Sequence, residues 1–130
     1  MTVGFGYFPI DPTQPIYAQI VDGFTRLVVQ ERLRPGEALP SVRSLAAELR
    51  VNPNTVQRAY RELDLRAVTE SHPGQGTFVR RDVDVRALRG SAAQIILDQA
   101  LGELRALGLG PGEVEQMVRE ALGRDGEGNT

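Results

Sequence analysis

LPSVRSLAAELRVNPNTVQRAYREL, residues 39–63, carries two short apolar stripes with helical spacing. Each stripe repeats at i, i+3, i+4 and i+7, and the members are Val42, Leu45, Ala46 and Leu49, then Val56, Ala59, Tyr60 and Leu63. Ser41 can accept a hydrogen bond from a first-turn amide, and Asn52 followed by Pro53 is typical of a second helix start. Because only residues 50–52 separate the stripes, we predict a helix-turn-helix with one shared core.

The second helix carries polar side chains opposite its apolar stripe. At 100° per residue, this outer face holds Asn54, Arg58 and Arg61, with Gln57 at its flank. Asn and Gln can form two hydrogen bonds with adenine, and Arg can bond guanine or clamp phosphate. We therefore predict that this face reads bases in the major groove of DNA. An ordinary solvated helix face is the alternative.

The residues before this motif predict another helix and a turn. Arg34-Pro35-Gly36-Glu37 has Pro and Gly at the positions that a type II turn requires. A helix that starts at Pro15 is expected to end near Leu33 and to pack behind the helix-turn-helix through its apolar stripe, which comprises Ile16, Ile20, Phe24 and Leu27. Tyr17 and Tyr60 are interpreted as core residues with their hydroxyls at the surface.

The residues after the motif predict a β-hairpin, or wing. Two strands, 68–72 and 77–81, flank a turn at Pro73-Gly74-Gln75-Gly76. His72, Gly74 and Gln75 at the tip could approach phosphate or the minor groove, since glycine permits close backbone approach. A plain surface hairpin is the alternative interpretation.

The C-terminal part predicts two further helices, at about 85–107 and 113–122, separated by Gly108-Leu109-Gly110-Pro111-Gly112. Apolar residues cover too much of the circumference of these helices for a lone surface helix. We therefore expect two copies of the chain to bury these apolar faces against each other. The residues expected in this dimer contact are Leu88, Ala92, Ile95, Ile96, Leu101, Leu104, Val114, Met117, Val118 and Leu122. The alternative is a helical pair that folds entirely onto its own winged domain.

The predicted organisation has four parts. An N-terminal arm occupies residues 1–9, the winged helix-turn-helix 10–81, the two-helix dimerisation segment 82–122, and a disordered end 123–130. The expected fold class is mainly α with a small β-hairpin.

Composition argues against several functional classes. The chain has no cysteine and a single histidine, which excludes disulfides and thiolate sites and speaks against a zinc site. No nucleophile, base and orienting group recur at a recognisable spacing, so we expect no enzyme, no cofactor and no metal. Without a signal peptide pattern or a bilayer-length apolar run, we expect a cytoplasmic protein with no membrane partner.

Charge is unevenly distributed along the chain. The net charge is −2, which by itself argues mildly against nucleic acid. Residues 26–81, however, contain ten Arg and six acidic residues, a net of +4, whereas residues 82–130 contain five Arg and nine acidic residues, a net of −4. The positive charge is therefore concentrated where the DNA-reading motif is predicted.

Four blocks together resemble the GntR family of bacterial transcription regulators, and the resemblance covers about residues 10–80. The blocks are residues 39–46 (LPSVRSLA), 51–56 (VNPNTV), 59–63 (AYREL) and 74–79 (GQGTFV). The short helical tail narrows the resemblance to the YtrA-type subfamily. The family usually has Gly where Ala67 stands and often basic residues at 72 and 73. Because a left-handed cap without glycine is strained, we expect a different helix end at Ala67.

The resemblance implies DNA contacts at specific positions. Arg43, with Ser41 beside it, would contact DNA from the start of the first motif helix, and Gly74 would lie at the wing tip. The groove-facing start of the second helix would carry Asn52, Asn54, Thr55, Gln57 and Arg58.

The function expected from these patterns is transcriptional repression by a homodimer on an inverted-repeat operator in double-stranded DNA. The subfamily resemblance also implies control of a transporter operon. No residue identifies a small-molecule effector. A winged-helix module that binds a protein instead of DNA is the alternative, and the acidic total charge is its best support.

Overall fold

The computed structural model describes residues 9–128, with side-chain surroundings up to residue 126. Within that range the elements are α1 (Ile16–Val29), α2 (Val42–Leu49), α3 (Pro53–Leu65), β1 (Thr69–His72), β2 (Gly76–Val79), α4 (Val85–Ala106) and α5 (Pro111–Gly128). The predicted mainly α fold with a small hairpin is confirmed. The predicted arm lies outside the described residues, except for Pro9.

The chain divides into two compact units whose boundary falls within α4, between Arg89 and Gly90. The boundary predicted from the sequence lies eight residues earlier, after residue 81. The first turn of α4 extends the first unit because Val83, Val85 and Leu88 pack against its core, and because Arg89 Nη2 donates a 2.6 Å hydrogen bond to the Val29 carbonyl at the end of α1.

Local hydrogen bonds start the motif helices where the sequence predicts. Ser41 Oγ accepts a 3.0 Å bond from the Ser44 amide, and Asn52 Oδ1 accepts a 2.8 Å bond from the Asn54 amide. Each bond satisfies an amide that has no partner within the helix. The predicted type II turn is also present, with Gly36 at φ 85° and the Glu37 amide 3.0 Å from the Arg34 carbonyl.

Three helices end on a left-handed residue that is not glycine: Glu31, Arg50 and Ala67 each have φ 59°. At Ala67 the expectation of a different helix end is wrong. The Val68 amide bonds the Leu63 carbonyl at 3.1 Å, and the Val68 side chain is fully buried. Burying that side chain contributes about 1.5 to 3 kcal/mol, more than the roughly 1 to 2 kcal/mol cost of the left-handed conformation.

The first helix also ends earlier than predicted, at Val29 instead of near Leu33. The amides of Arg32 and Leu33 both bond the Leu27 carbonyl, at 2.9 and 3.1 Å. This reversal turns Leu33 into the core, where it is 1% exposed. The turn at residues 34–37 therefore follows a short capping segment and does not mark the end of the helix itself.

The core of the first unit lies where α1, α2 and α3 meet the base of the hairpin. Its largest fully buried members are Tyr60, Phe24, Ile20, Leu33, Leu45 and Leu63. The Phe24 and Tyr60 rings pack edge to face with centroids 5.8 Å apart. Tyr60 is a core residue as predicted, but its hydroxyl is internal, because it donates a 2.6 Å bond to the Pro40 carbonyl. Burial raises the pKa of the Tyr60 hydroxyl.

The wing is an antiparallel pair in which Thr69 faces Val79 and His72 faces Gly76. Both strands are shorter than predicted: β1 begins after Val68 and β2 ends at Val79. Residues 36–39 run along the other edge of β2. Val79 donates to the Glu37 carbonyl and Leu39 to the Thr77 carbonyl, each at 2.8 Å.

The second unit contains most of α4, followed by α5. Gly108 follows the end of α4 with φ 90°, and the Glu113 carboxylate accepts a 3.1 Å bond from the Gly110 amide just before α5. The sequence predicts disorder from residue 123, but α5 continues to Gly128. Propagating an existing helix is far easier than nucleating one, so the glycines there do not stop it.

Candidate nucleic-acid interface

The outer face of α3 is the centre of the candidate interface. Val56, Ala59 and Leu63 are fully buried, which fixes the helix by its inner stripe. The opposite side chains, Asn54, Gln57, Arg58 and Arg61, are all exposed, and Thr55 is half-buried. A fixed helix with an exposed row of amides and guanidiniums can present donors and acceptors to base edges.

The beginnings of α2 and α3 hold the remaining predicted motif residues. Ser41 and Asn52 use their side-chain oxygens as helix caps, so their first role is structural. Arg43 is exposed in the first turn of α2. Because the amide ends of helices carry partial positive charge, an anion such as a backbone phosphate would be favoured there.

Ion pairing separates the arginines of the first unit into two groups. Arg26, Arg66 and Arg80 are paired with Asp22, Glu62 and Asp82 at 2.8, 3.0 and 2.8 Å. Among the described residues, Arg43, Arg58 and Arg61 have neither an ion pair nor a side-chain hydrogen bond. The acidic residues therefore neutralise cations elsewhere and leave the charges on the outer faces of α2 and α3 available.

Arg58 has a close neighbour that the sequence pattern does not predict. Its guanidinium carbon lies 3.7 Å from the centre of the Tyr17 ring on α1. Tyr17 is half-buried against the core. The apolar periodicity of one helix cannot reveal a contact between side chains of two different helices. Tyr17 and Arg58 are 41 residues apart in sequence, so no sequence signal pointed to Tyr17.

At the wing tip, Pro73 and Gly74 occupy the centre of a tight turn. Gly74 has φ 76°, and the Gln75 amide bonds the His72 carbonyl at 2.9 Å. A Cβ added at Gly74 would meet nothing within 4 Å, so the tip is open to an approaching surface. The structure thus groups His72, Gly74 and Gln75 as predicted.

The wing is less basic than its arginines suggest. His72 Nε2 lies 3.5 Å from the Glu70 carboxylate. Arg80 bonds Asp82 through two nitrogens, at 2.8 and 3.0 Å. This contact raises the pKa of Arg80 and holds the pKa of Asp82 below its usual range. Arg81 extends over the turn at Gly36, where an added Cβ would lie 3.3 Å from the guanidinium.

The side chains predicted for dimerisation differ in exposure, and three of them, Ala92, Leu101 and Leu104, are half-buried. Leu88 packs against the core of the first unit, so it is already covered within one chain. Val114 is 9% exposed. The exposed members are Ile95, Ile96, Met117, Val118 and Leu122, and Leu97 and Leu107 are large apolar side chains that the predicted set omitted. The described part of the second unit thus leaves a substantial apolar surface uncovered.

Other kinds of site find no support in the described residues. Between residues 9 and 128, no three side chains of the His, Cys, Asp and Glu types come together in a way that could hold a metal ion. None of the helices in that range combines the length and the apolarity needed to cross a bilayer.

Comparison with known proteins points to one family. Residues 16–79 match the family described as bacterial regulatory proteins, gntR family. The chain is 35% identical over 108 residues to the uncharacterized HTH-type transcriptional regulator YhcF of Bacillus subtilis, a match that covers 82% of this chain and 89% of YhcF. It is 38% identical over 88 residues to the HTH-type transcriptional repressor YtrA of the same organism, covering 66% of this chain and 68% of YtrA.

A solved structure agrees with these sequence relatives. A GntR family transcriptional regulator from Listeria monocytogenes superimposes with a TM-score of 0.73 at 31% identity, covering 85% of this chain and 98% of that protein. All three relatives are named as transcriptional regulators or repressors. A winged-helix module without DNA binding is therefore not favoured.

Proposed function

The chain belongs to the GntR family of DNA-binding transcriptional regulators, as its motifs predicted, and we propose that it is a repressor that binds an inverted-repeat operator as a homodimer. One observation supports base reading above all. The outer face of α3 exposes Asn54, Gln57 and Arg58 while its inner stripe is fully buried. The buried side chains therefore hold the helix in place, and its exposed amide and guanidinium groups are available to bases.

Base reading and phosphate binding are assigned to different side chains. Arg43, Asn54, Gln57 and Arg58 discriminate bases, since amides and guanidiniums can form paired hydrogen bonds with adenine and guanine. Arg61, farther along α3, binds backbone phosphate and sets the register of the protein on the duplex. The wing residues His72, Gly74 and Gln75 approach the flanking backbone. Ser41, Asn52 and Thr55 place the helix starts against phosphate.

Dimerisation is proposed to occur through the second unit. The exposed fractions of Ile95, Ile96 and Leu122 are 55, 51 and 64%, and clusters of large apolar side chains on a protein surface commonly mark an interface. A two-fold dimer places two recognition helices in successive major grooves, about 34 Å apart. The subfamily resemblance extends the proposal to an operon for membrane transport.

Selection of bound fragments from a pool of random DNA duplexes tests this proposal. The full chain should enrich a palindromic site whose half-sites are centred about 10 base pairs, or a multiple of that, apart. Recovery of a single unpaired half-site would contradict the homodimer. Failure to enrich any sequence, together with negligible duplex affinity at low salt, would contradict DNA reading and favour a protein-binding module.

A further inference from the structure

Tyr17 offers a fixed aromatic platform beneath a residue of the proposed reading face. The ring belongs to α1 and is half-buried, because it packs against the core of the first unit. The Arg58 guanidinium on α3 lies over it, 3.7 Å from the ring centre. Such a contact is attractive, because the face of the ring is electronegative.

Stacking and base reading use different parts of the guanidinium. At 3.7 Å from the ring centre, the guanidinium carbon is too close for an N–H to point at the ring, so the flat face of the group meets it. The five N–H donors lie in the plane of the guanidinium and point outward from its edge. Among the described residues, Arg58 donates no side-chain hydrogen bond and forms no ion pair. Its edge is therefore available to the two acceptors of a guanine while its face stays on the ring.

An arginine on a bare helix surface samples many rotamers and loses that freedom when it binds. The ring restricts Arg58 before DNA arrives, so less freedom is lost on binding. We propose that Tyr17 is a positioning residue that presents the Arg58 guanidinium edge to a base, which makes α1 a contributor to sequence specificity. This inference rests on the proposed function of α3 as the DNA reader.

Arg61 supplies a matched comparison on the same helix. It is exposed like Arg58 and is three residues farther along, but it has no ring stacked under it among the described residues. Loss of the Tyr17 ring should therefore affect the contribution of Arg58 and leave that of Arg61 unchanged.

The test measures affinity for the selected operator with Tyr17→Phe, Tyr17→Leu, Arg58→Ala and the double variant Tyr17→Leu/Arg58→Ala. Tyr17→Phe keeps the ring and should bind like the parent, whereas Tyr17→Leu should weaken binding about two- to five-fold, the range expected for an exposed cation–π contact. The leucine change should have no further effect once Arg58 is alanine, but its full effect in an Arg61→Ala background. The proposal would be overturned if Tyr17→Leu weakened binding equally in the Arg58→Ala and Arg61→Ala backgrounds. It would also be overturned if Tyr17→Leu in the parent protein caused no loss of affinity or tighter binding.

A second series of variants keeps an aromatic ring at position 17, so its outcome does not depend on whether the fold tolerates leucine there. Phenylalanine with increasing fluorination at position 17 keeps the ring in place while weakening its attraction for cations. Operator affinity should fall stepwise along the series, and the Arg58 Nε–H resonance should lose its ring-current shift in Tyr17→Leu. A flat affinity series would overturn the inference.

The two proposals fail in distinguishable ways. If the parent protein binds no duplex, the proposed function and this inference fail together. If the parent binds and Arg58→Ala weakens binding while the ring variants do not, only the positioning role of Tyr17 fails.

Discussion

Arg43 and Arg58 are the side chains on which base discrimination should depend most. Replacing either by alanine removes paired hydrogen-bond donors that are proposed to contact bases, so we expect a loss of about 1 to 3 kcal/mol and a relaxed preference at one operator position. Binding to randomised operators, measured at fixed salt, checks both effects. Arg26→Ala is the control, since that arginine is paired with Asp22 on α1. Unchanged affinity in both reading-face variants would contradict their assignment.

Ala67 carries a conformation that glycine adopts without strain. Its φ is 59° and its side chain is exposed, so Ala67→Gly removes little packing. We expect a gain of about 0.5 to 1 kcal/mol, measurable as a melting temperature a few degrees higher. Ala47→Gly, at an exposed position inside α2, should lower it instead. A destabilised Ala67→Gly protein would show that the left-handed cap costs nothing here.

Residues whose roles depend on neighbours in sequence were predictable, and residues whose roles depend on tertiary contacts were not. Ser41 and Asn52 cap helices through atoms two or three residues away, so the local pattern predicted both. The Tyr60 hydroxyl bonds the Pro40 carbonyl 20 residues away, and Tyr17 meets Arg58 across two helices. No periodic pattern records such pairs.

At the level of elements, sequence periodicity identified every helix better than it located the helix ends. The turn at Pro35 and Gly36 suggested a helix end near Leu33, but α1 ends at Val29, because the backbone reversal after the helix buries Leu33 as well as a helix would. For α5 the predicted end is too early, because the glycines suggested an end at residue 122 whereas the helix continues to Gly128. Burial and cap bonds, which sequence shows only indirectly, decide both boundaries.

The exposed apolar side chains of α4 and α5 make the dimer proposal testable. Ile95→Glu places a charge in the proposed contact, where burial without a partner is costly, so the protein should sediment as a monomer and lose most of its operator affinity. Ala18→Glu adds the same charge at an exposed position of α1, outside the second unit, and should leave the dimer intact. A parent protein that is monomeric at micromolar concentration would contradict the proposal directly.

For the whole molecule, charge distribution matters more than net charge. The chain is acidic overall, yet residues 26–81 carry a net positive charge. The ion-paired arginines of that region, Arg26, Arg66 and Arg80, lie outside the outer faces of α2 and α3. Affinity for DNA should therefore fall steeply with salt despite the low pI, because bound arginines release counterions from the duplex.

Arg61→Ala should change this salt dependence in a defined way. Losing one phosphate contact should weaken binding to all sequences alike and reduce the slope of log affinity against log salt by about 1. Arg119→Ala, which removes a cation already paired with Glu115 on α5, should leave the slope unchanged. If Arg61→Ala instead altered the preferred operator sequence, Arg61 would be a base reader.

The segment that joins α1 to α2 resembles an ordinary connection in sequence, but its residues from Gly36 to Leu39 form backbone hydrogen bonds along β2. Ordinary surface connections tolerate extra residues. An insertion in this segment would break its hydrogen bonds to β2 and separate the wing from α2. Natural sequences should therefore keep the length of this segment constant, and engineered tags or inserted peptides should be placed outside it.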